Sequence, residues 1–391
     1  MDRLSAFGLG VLVGVTTCAL VVAGVWLVRT IGDDGPAGAS QALPGATRGA
    51  SAAGAGSPGA SRAESSHGNA PQPRTGAGSP APGMLTGQGR LPDGDLVHCP
   101  APTQVVSTAA QLTAALAAAR PGTSISMADG TYAGHFAAAA TGTSKQPIWL
   151  CGGPGAVLDG GGTDLGYVLH LQRVSFWRVV GFTVRNGQKG VVADATTDTV
   201  IQGLTVHSTG DEGIHLRAAS TGNAVIGNTV HSTGLRRAKF GEGIYVGSAR
   251  SNWGRYGAGG PDRSDRNLLK GNTISNTGAE AIDMKEGTTG GAAISNTFDG
   301  QGMTGADSWV DVKGNEWIIE DNTGRNSPRD GFQTHQIVAG WGTGNMFQRN
   351  VVEGDLPGLG INLTPVLGNV VTCDNTTATG SAVTTNTSCS G

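Results

Sequence analysis

Charge is scarce in this chain. Of 391 residues only 14% are Asp, Glu, Lys or Arg, and the formal net charge is −3. That balance excludes the broad basic surface on which a nucleic-acid backbone would lie. Aromatic residues are also few, at 5%. Long apolar runs are confined to one place, residues 4–28, a stretch of 25 residues without a charge between Arg3 and Arg29. That run is long enough to cross a bilayer and longer than the apolar core of an ordinary signal peptide. An N-terminal membrane anchor over residues 1–30 is therefore expected. The rival is a secretion signal cut after Ala37-Gly38-Ala39, which has the small-x-small form. Either way the remainder is expected outside the membrane, extracellular or at the cell surface.

What is abundant is glycine, 66 residues spread through the whole chain. Residues 31–95 are rich in Gly, Ala, Ser and Pro without apolar periodicity, and read as a disordered linker. Residues 96–391 read as one folded domain. Cys18 lies in the apolar run, which leaves Cys99, Cys151, Cys373 and Cys389 for the exported part. Four cysteines allow three pairings. Cys373 with Cys389 and Cys99 with Cys151 is the favoured set, in keeping with an oxidising compartment.

A short phrase recurs through the second half of the chain. It reads Gly213-Ile214-His215-Leu216, Gly243-Ile244-Tyr245-Val246, Ala281-Ile282-Asp283-Met284, Trp309-Val310-Asp311-Val312, Gly331-Phe332-Gln333-Thr334 and Gly360-Ile361-Asn362-Leu363. Successive copies begin 30, 38, 28, 22 and 29 residues apart. A short alternating strand at such a period marks a stacked β-solenoid. A second column places Asn228, Asn272, Asn296, Asn350 and Asn369 each after the mid-rung segment. Stacked asparagines can bond from rung to rung, so these read as structural. Thr108, with Gln111 three residues on, begins a capping box, and Pro121-Gly122 ends the short helix that follows. The expected fold is all-β: a single-stranded right-handed parallel β-helix of about eight to ten rungs with a short N-terminal capping helix.

On such a fold the middle residue of each strand points outward. That makes a column of His215, Tyr245, Asp283, Asp311, Gln333 and Asn362. Two residues on runs another: Arg217, Gly247, Lys285, Lys313, His335 and Thr364. Glu212, Glu242, Glu280 and Asp330 precede the strands. Rungs lie about 4.8 Å apart, so Asp283 over Asp311 and Lys285 over Lys313 would set like charges together. A hard cation such as Ca²⁺ between the carboxylates relieves one pair; cross-strand Asp–Lys pairing on a solvated face is the alternative. The insertion over residues 248–266 adds Arg250, Trp253, Arg255 and Tyr256 beside the column. Guanidinium forks and rings together suit an acidic sugar polymer.

Glu280-Ala281-Ile282-Asp283-Met284-Lys285-Glu286, with Ser295-Asn296-Thr297-Phe298 and Lys313-Gly314-Asn315, resembles the β-helical polysaccharide lyases of the chondroitinase B and alginate lyase family. The segment from Leu112 through Asp159-Gly160 is similar to the same family. Asp211-Glu212-Gly213-Ile214-His215-Leu216 is more similar to a calcium-site strand of the pectate lyases. The first resemblance implies Ca²⁺-assisted β-elimination at a uronate, with Glu280 as a Ca²⁺ ligand and Lys285 as the base. Asp283 and Asp311 complete the expected ligand set, and Lys313 or His335 assists. Arg217, Tyr245, Arg250, Trp253, Arg255 and Tyr256 are the expected substrate contacts. Two departures stand out: Gly278 occupies a position where that family carries an acid, and Val312-Lys313-Gly314 replaces its Arg-His-Gly. Two other readings stay open: a non-catalytic, cell-surface glycan-binding β-helix, and a glycoside hydrolase using paired carboxylates. The expected partners are an acidic polysaccharide and, for the N-terminal segment, a membrane; no nucleic acid is expected, and the chain is expected to act as a monomer.

Overall fold

The structure, a computed structural model, describes residues 85–86 and 89–391. The expected anchor or signal over residues 1–30, and most of the linker over 31–95, lie outside the described residues. Among the described residues no helix is long and apolar enough to cross a membrane.

The chain winds as a right-handed parallel β-helix of about ten turns. Each turn gives one short strand to each of three sheets, of eleven, ten and nine strands. The nine-stranded sheet carries the repeated phrase. Its strands run from Phe136–Ala138 through Ile214–Arg217, Ile244–Val246, Ile282–Met284, Ser308–Val312 and Asp330–His335 to Ile361–Thr364. Pairing is in strict register: His215 with Tyr245, Tyr245 with Asp283, Asp283 with Asp311, Asp311 with Gln333, and Gln333 with Asn362. The flanking apolar residues, among them Ile214, Ile244, Ile282, Val310, Phe332 and Ile361, are fully buried in the column that forms the core. Burial of such side chains, about 1.5–3 kcal/mol each, drives the coil.

The asparagine ladder runs through Asn228, Asn272, Asn296, Asn322, Asn350 and Asn375, each Nδ2 donating to the next Oδ1 at 2.9–3.0 Å. Three positions differ from the expected set, for Asn375 also joins the ladder. Asn322 belongs to it. Asn369 instead sits in a neighbouring corner, where its Oδ1 accepts from the Asn345 backbone N–H. All three positions read "Asn before a strand" in sequence, and only the register tells the two corners apart.

A ten-residue helix, Ala109–Ala118, closes the first turn with Leu112, Ala115 and Leu116 buried. Thr108 Oγ1 accepts from the Gln111 N–H, while Gln111 Oε1 accepts from the Ser107 N–H. Both expected disulfides, Cys99–Cys151 and Cys373–Cys389, are present. The segment just before residue 96 lies against the outer face of the eleven-stranded sheet. Leu91 is buried there among Val200, Ala224, Ile226, Leu268 and Ala292. Gln202 clamps Val97 through both its N–H and its carbonyl, at 2.7 and 2.9 Å.

Candidate active site

The outward column exists but is not open. His215, Tyr245, Asp283, Asp311 and Gln333 are all under 8% exposed. Stacked neighbours cover each one from above and below, and two long loops stand beside the column. The face is therefore a packed polar layer rather than the solvated surface that alternation alone suggests.

On the middle rungs the like charges interleave. Lys313 Nζ lies 2.8 Å from Asp283 Oδ1 and 2.8 Å from Asp311 Oδ2, and 3.8 Å from Glu280 Oε1. Lys285 Nζ takes the other Asp283 oxygen at 2.8 Å and lies 5.3 Å from the Tyr245 ring centre. His335 Nδ1 is 2.9 Å from Asp311 Oδ1. The ions thus form one zigzag: Lys285, Asp283, Lys313, Asp311, His335. Room for it is made at Gly247, which has φ +83°; a Cβ there would sit 2.6 Å from Thr288 Cγ2 and 3.4 Å from Lys285 Cβ.

Two carboxylates are left short of partners. Glu242 Oε2 is buried with no hydrogen-bond partner, and Glu280 reaches only the distant ammonium of Lys313. Burial, then Glu212, Glu280 and Asp283, push Glu242 well above the carboxylate range. Burial also raises Glu280, to about 7, despite the opposing pull of Lys313. Burial and the facing carboxylates hold the Tyr245 phenol well above its ordinary range, so it keeps its proton. Burial alone would lower Lys285 and Lys313, but Asp283 leads the carboxylates that raise both above the ordinary lysine value.

Oxygens of Glu242, Glu280 and Asp283 lie within 4.8 Å of one another. Three hard donors, one of them orphaned, fit a divalent cation of the Ca²⁺ type. Of the expected ligands, Glu280 and Asp283 belong to this cluster. Asp311 lies outside it, paired with Lys313 and His335, and Glu242 from the rung below takes the third place. Sequence spacing already placed Glu242 in the acidic column but could not show that its side chain leans toward Asp283.

The expected sugar contacts divide. Tyr245 lies within the site. Arg217 is 1% exposed, bonded to Asp194 Oδ1 at 2.6 Å and covered by the Tyr256 ring at 4.1 Å, so it is closed to a ligand. Trp253 Nε1 donates to the Ser248 carbonyl, and the Arg250 N–H donates to Glu286 Oε1, which anchors the insertion. The Arg250 and Arg255 side chains remain exposed on its rim. Asp211, the first residue of the pectate lyase-like segment, is fully buried and held by Arg236 at 2.5 Å and Arg237 at 2.7 Å. It is an ion-paired anchor for the loop.

An alginate lyase from Paenibacillus sp. str. FPU-7, known from its crystal structure, is 36% identical to this chain, with a TM-score of 0.67 over 72% of this chain and 97% of that one. The chain belongs to the β-helical polysaccharide lyase family. More distant similarities to this lyase-family chain include pectate lyase Pel9A, at 14% identity and TM-score 0.48 over 69% and 78% of the two chains. A polygalacturonase from Erwinia carotovora ssp. carotovora gives 10% and 0.47 over 75% and 99%. Nothing about the chemistry of this lyase-family chain follows from those two. No protein-family model matches, and no curated protein does.

Proposed function

We propose that this protein cleaves an acidic polysaccharide by β-elimination at a uronate, with Lys285 as the base. One juxtaposition carries the reading. Tyr245, Asp283, Lys285 and Lys313 converge on neighbouring rungs, in a chain 36% identical to an alginate lyase over nearly all of that enzyme. Alginate is therefore the first substrate to test.

The reaction needs positive charge beside the uronate carboxylate, because loss of the C5 proton builds negative charge there. It also needs a base at C5 and a proton donor at the departing oxygen. Lys313 and His335 present the positive charge. Lys285 takes the C5 proton, the freed electron pair becomes the C4=C5 bond, and the C4–O bond breaks. Tyr245, still protonated, gives its proton to the leaving oxygen. The products are one chain ending in an unsaturated uronate and one ending in a hydroxyl. Lys285 rests as an ammonium on Asp283, so its basic form requires Asp283 to be engaged elsewhere. A Ca²⁺ ion held by Glu242, Glu280 and Asp283 would supply positive charge that screens the substrate carboxylate and makes an uncharged lysine less costly. The two disulfides support an exported domain, and residues 1–30 would tether it to a membrane.

The test is to incubate the purified protein with alginate, pectate and sulfated glycosaminoglycans, with and without Ca²⁺, and to follow ultraviolet-absorbing unsaturated ends. Their appearance with one uronate polymer is expected. New reducing ends without unsaturation would point to a hydrolase, and binding without cleavage to a glycan-binding module.

A further inference from the structure

Two loops leave the same end of the site sheet and meet beyond the short turns that follow Lys285 and Lys313. The first is the insertion over residues 248–266. Its returning limb is fixed: Asp262 accepts from the backbone N–H groups of Ala218 and Ala219 at 2.9 and 2.8 Å, and its own backbone lies against Gly287, two residues past Lys285. The second leaves the strand that ends at His335. Gly340, Gly342 and Gly344 have φ of +86°, +75° and +73° there, and a Cβ on Gly342 would lie 2.4 Å from the His335 carbonyl oxygen. Asn315 ties this loop down by donating to the Gly340 carbonyl and accepting from the Thr343 N–H.

Arg263 and Trp341 join the two loops, the guanidinium lying 5.6 Å from the indole ring. Asp265 Oδ2 holds Arg263 Nε at 2.9 Å, and Asp265 Oδ1 is itself fixed by the Thr289 N–H. Nη1 and Nη2 have no hydrogen-bond partner among the described residues, and the side chain is 46% exposed. A guanidinium held along one edge and over one face presents its other edge as a two-pronged donor, which matches a carboxylate. Holding it in place beforehand lowers the ordering cost of binding. Arg217, by contrast, is buried between Asp194 and the Tyr256 ring, and Arg236 spends both Nε and Nη2 on Asp211.

We propose that Arg263, positioned by Trp341 and Asp265, forms a secondary subsite that binds the carboxylate of a uronate away from the cleaved bond. The proposal rests on the uronate-polymer reading above. It predicts recognition that grows with chain length. Oligouronates long enough to reach from Lys285 to Arg263 gain a contact that the shortest substrates lack.

The test compares full-length wild type, Arg263→Gln and Trp341→Ala by calorimetric binding and by kinetics on oligouronates of increasing length, and on polymer whose carboxyl groups have been reduced to alcohols. Arg263→Gln should weaken binding of long oligomers about tenfold, leave the shortest cleaved oligomer unchanged, and raise KM while sparing kcat. Reduced polymer should bind wild type and variant alike. Trp341→Ala should show the same length dependence in weaker form. If wild type binds and cleaves uronate oligomers but Arg263→Gln binds every length as wild type does, or loses all lengths equally, the subsite is wrong and the lyase reading stands. If wild type binds no uronate polymer, both are overturned. A lower melting temperature with no length dependence would show that the Arg263–Trp341 contact is only a strap between loops.

Discussion

The early and middle rungs of one outward face carry the same kinds of side chain and use them differently. On the early rungs every acid meets its own base. Asp194 takes Arg217 at 2.6 Å and His170 at 2.8 Å, Glu212 takes Lys189 at 2.9 Å, and Asp211 takes two arginines. On the middle rungs four carboxylates, Glu242, Glu280, Asp283 and Asp311, face two ammonium groups, Lys285 and Lys313, and one imidazole, His335. Completed pairing holds a solenoid together. A surplus of buried acid is costly unless something else arrives to neutralise it, and that surplus marks the site.

The largest effect should come from Lys285→Met, which removes the proposed base. We expect kcat per folded molecule on the preferred uronate polymer to fall by roughly 10²–10⁴, on top of a lower melting temperature from Asp283 losing one of its two buried ammonium partners. A variant that keeps its turnover but melts early would put Lys285 with the scaffold pairs and erase the contrast between the rungs. Asp211→Asn should cost stability alone. It leaves two arginines without their buried partner and should cost about 3 kcal/mol of stability, read by denaturant unfolding, while turnover per folded molecule is kept.

A third comparison tests the surplus directly. Ca²⁺ at a hundredfold excess over its Kd should stabilise wild type by about 2–3 kcal/mol. Glu242→Gln should lose most of that gain. Equal calcium stabilisation of wild type and Glu242→Gln would move any ion away from the cluster.

The smallest effect lies on another sheet, where no surplus exists. His207 and His231 stack with ring centres 5.0 Å apart and planes 3° apart. Burial, with the neighbouring imidazole second, lowers His207 below the ordinary histidine value, and burial lowers His231. Lowered values mean that the unfolded chain takes up protons first. The stability these residues contribute is therefore present above the ordinary histidine pKa and is lost as pH falls below it. His231→Gln should flatten the decline of melting temperature between about pH 7 and pH 5. An unchanged slope would show that the stacked pair is titrationally silent.

Much of the framework was legible in the sequence because it repeats. The recurring phrase marked the outward column from His215 to Asn362 although its copies begin 22 to 38 residues apart, and the strict register reproduces it residue for residue. The four cysteines of the β-helix domain paired as expected because each pair lies near one end of the coil. What repetition does not encode is where a long side chain goes. Lys313 slips between Asp283 and Asp311, so the ion pairing weighed as an alternative is present, but buried. Glu242 replaces Asp311 at the carboxylate cluster because its side chain, and not that of Asp311, lies close to Glu280 and Asp283. Arg217 appears in sequence as an outward cation beside the site, yet the Tyr256 ring from the insertion shuts it away. Trp341 had no repeat to announce it, and its contact with Arg263 depends on two loops far apart along the chain.

The most direct test of the central claim is the structure of the product that wild type and Lys285→Met release from alginate, read by nuclear magnetic resonance. Wild type should give oligomers ending in a C4=C5 double bond, and Lys285→Met, folded at the assay temperature, should give almost none. Saturated ends from wild type, or unsaturated ends formed as fast by Lys285→Met, would contradict it.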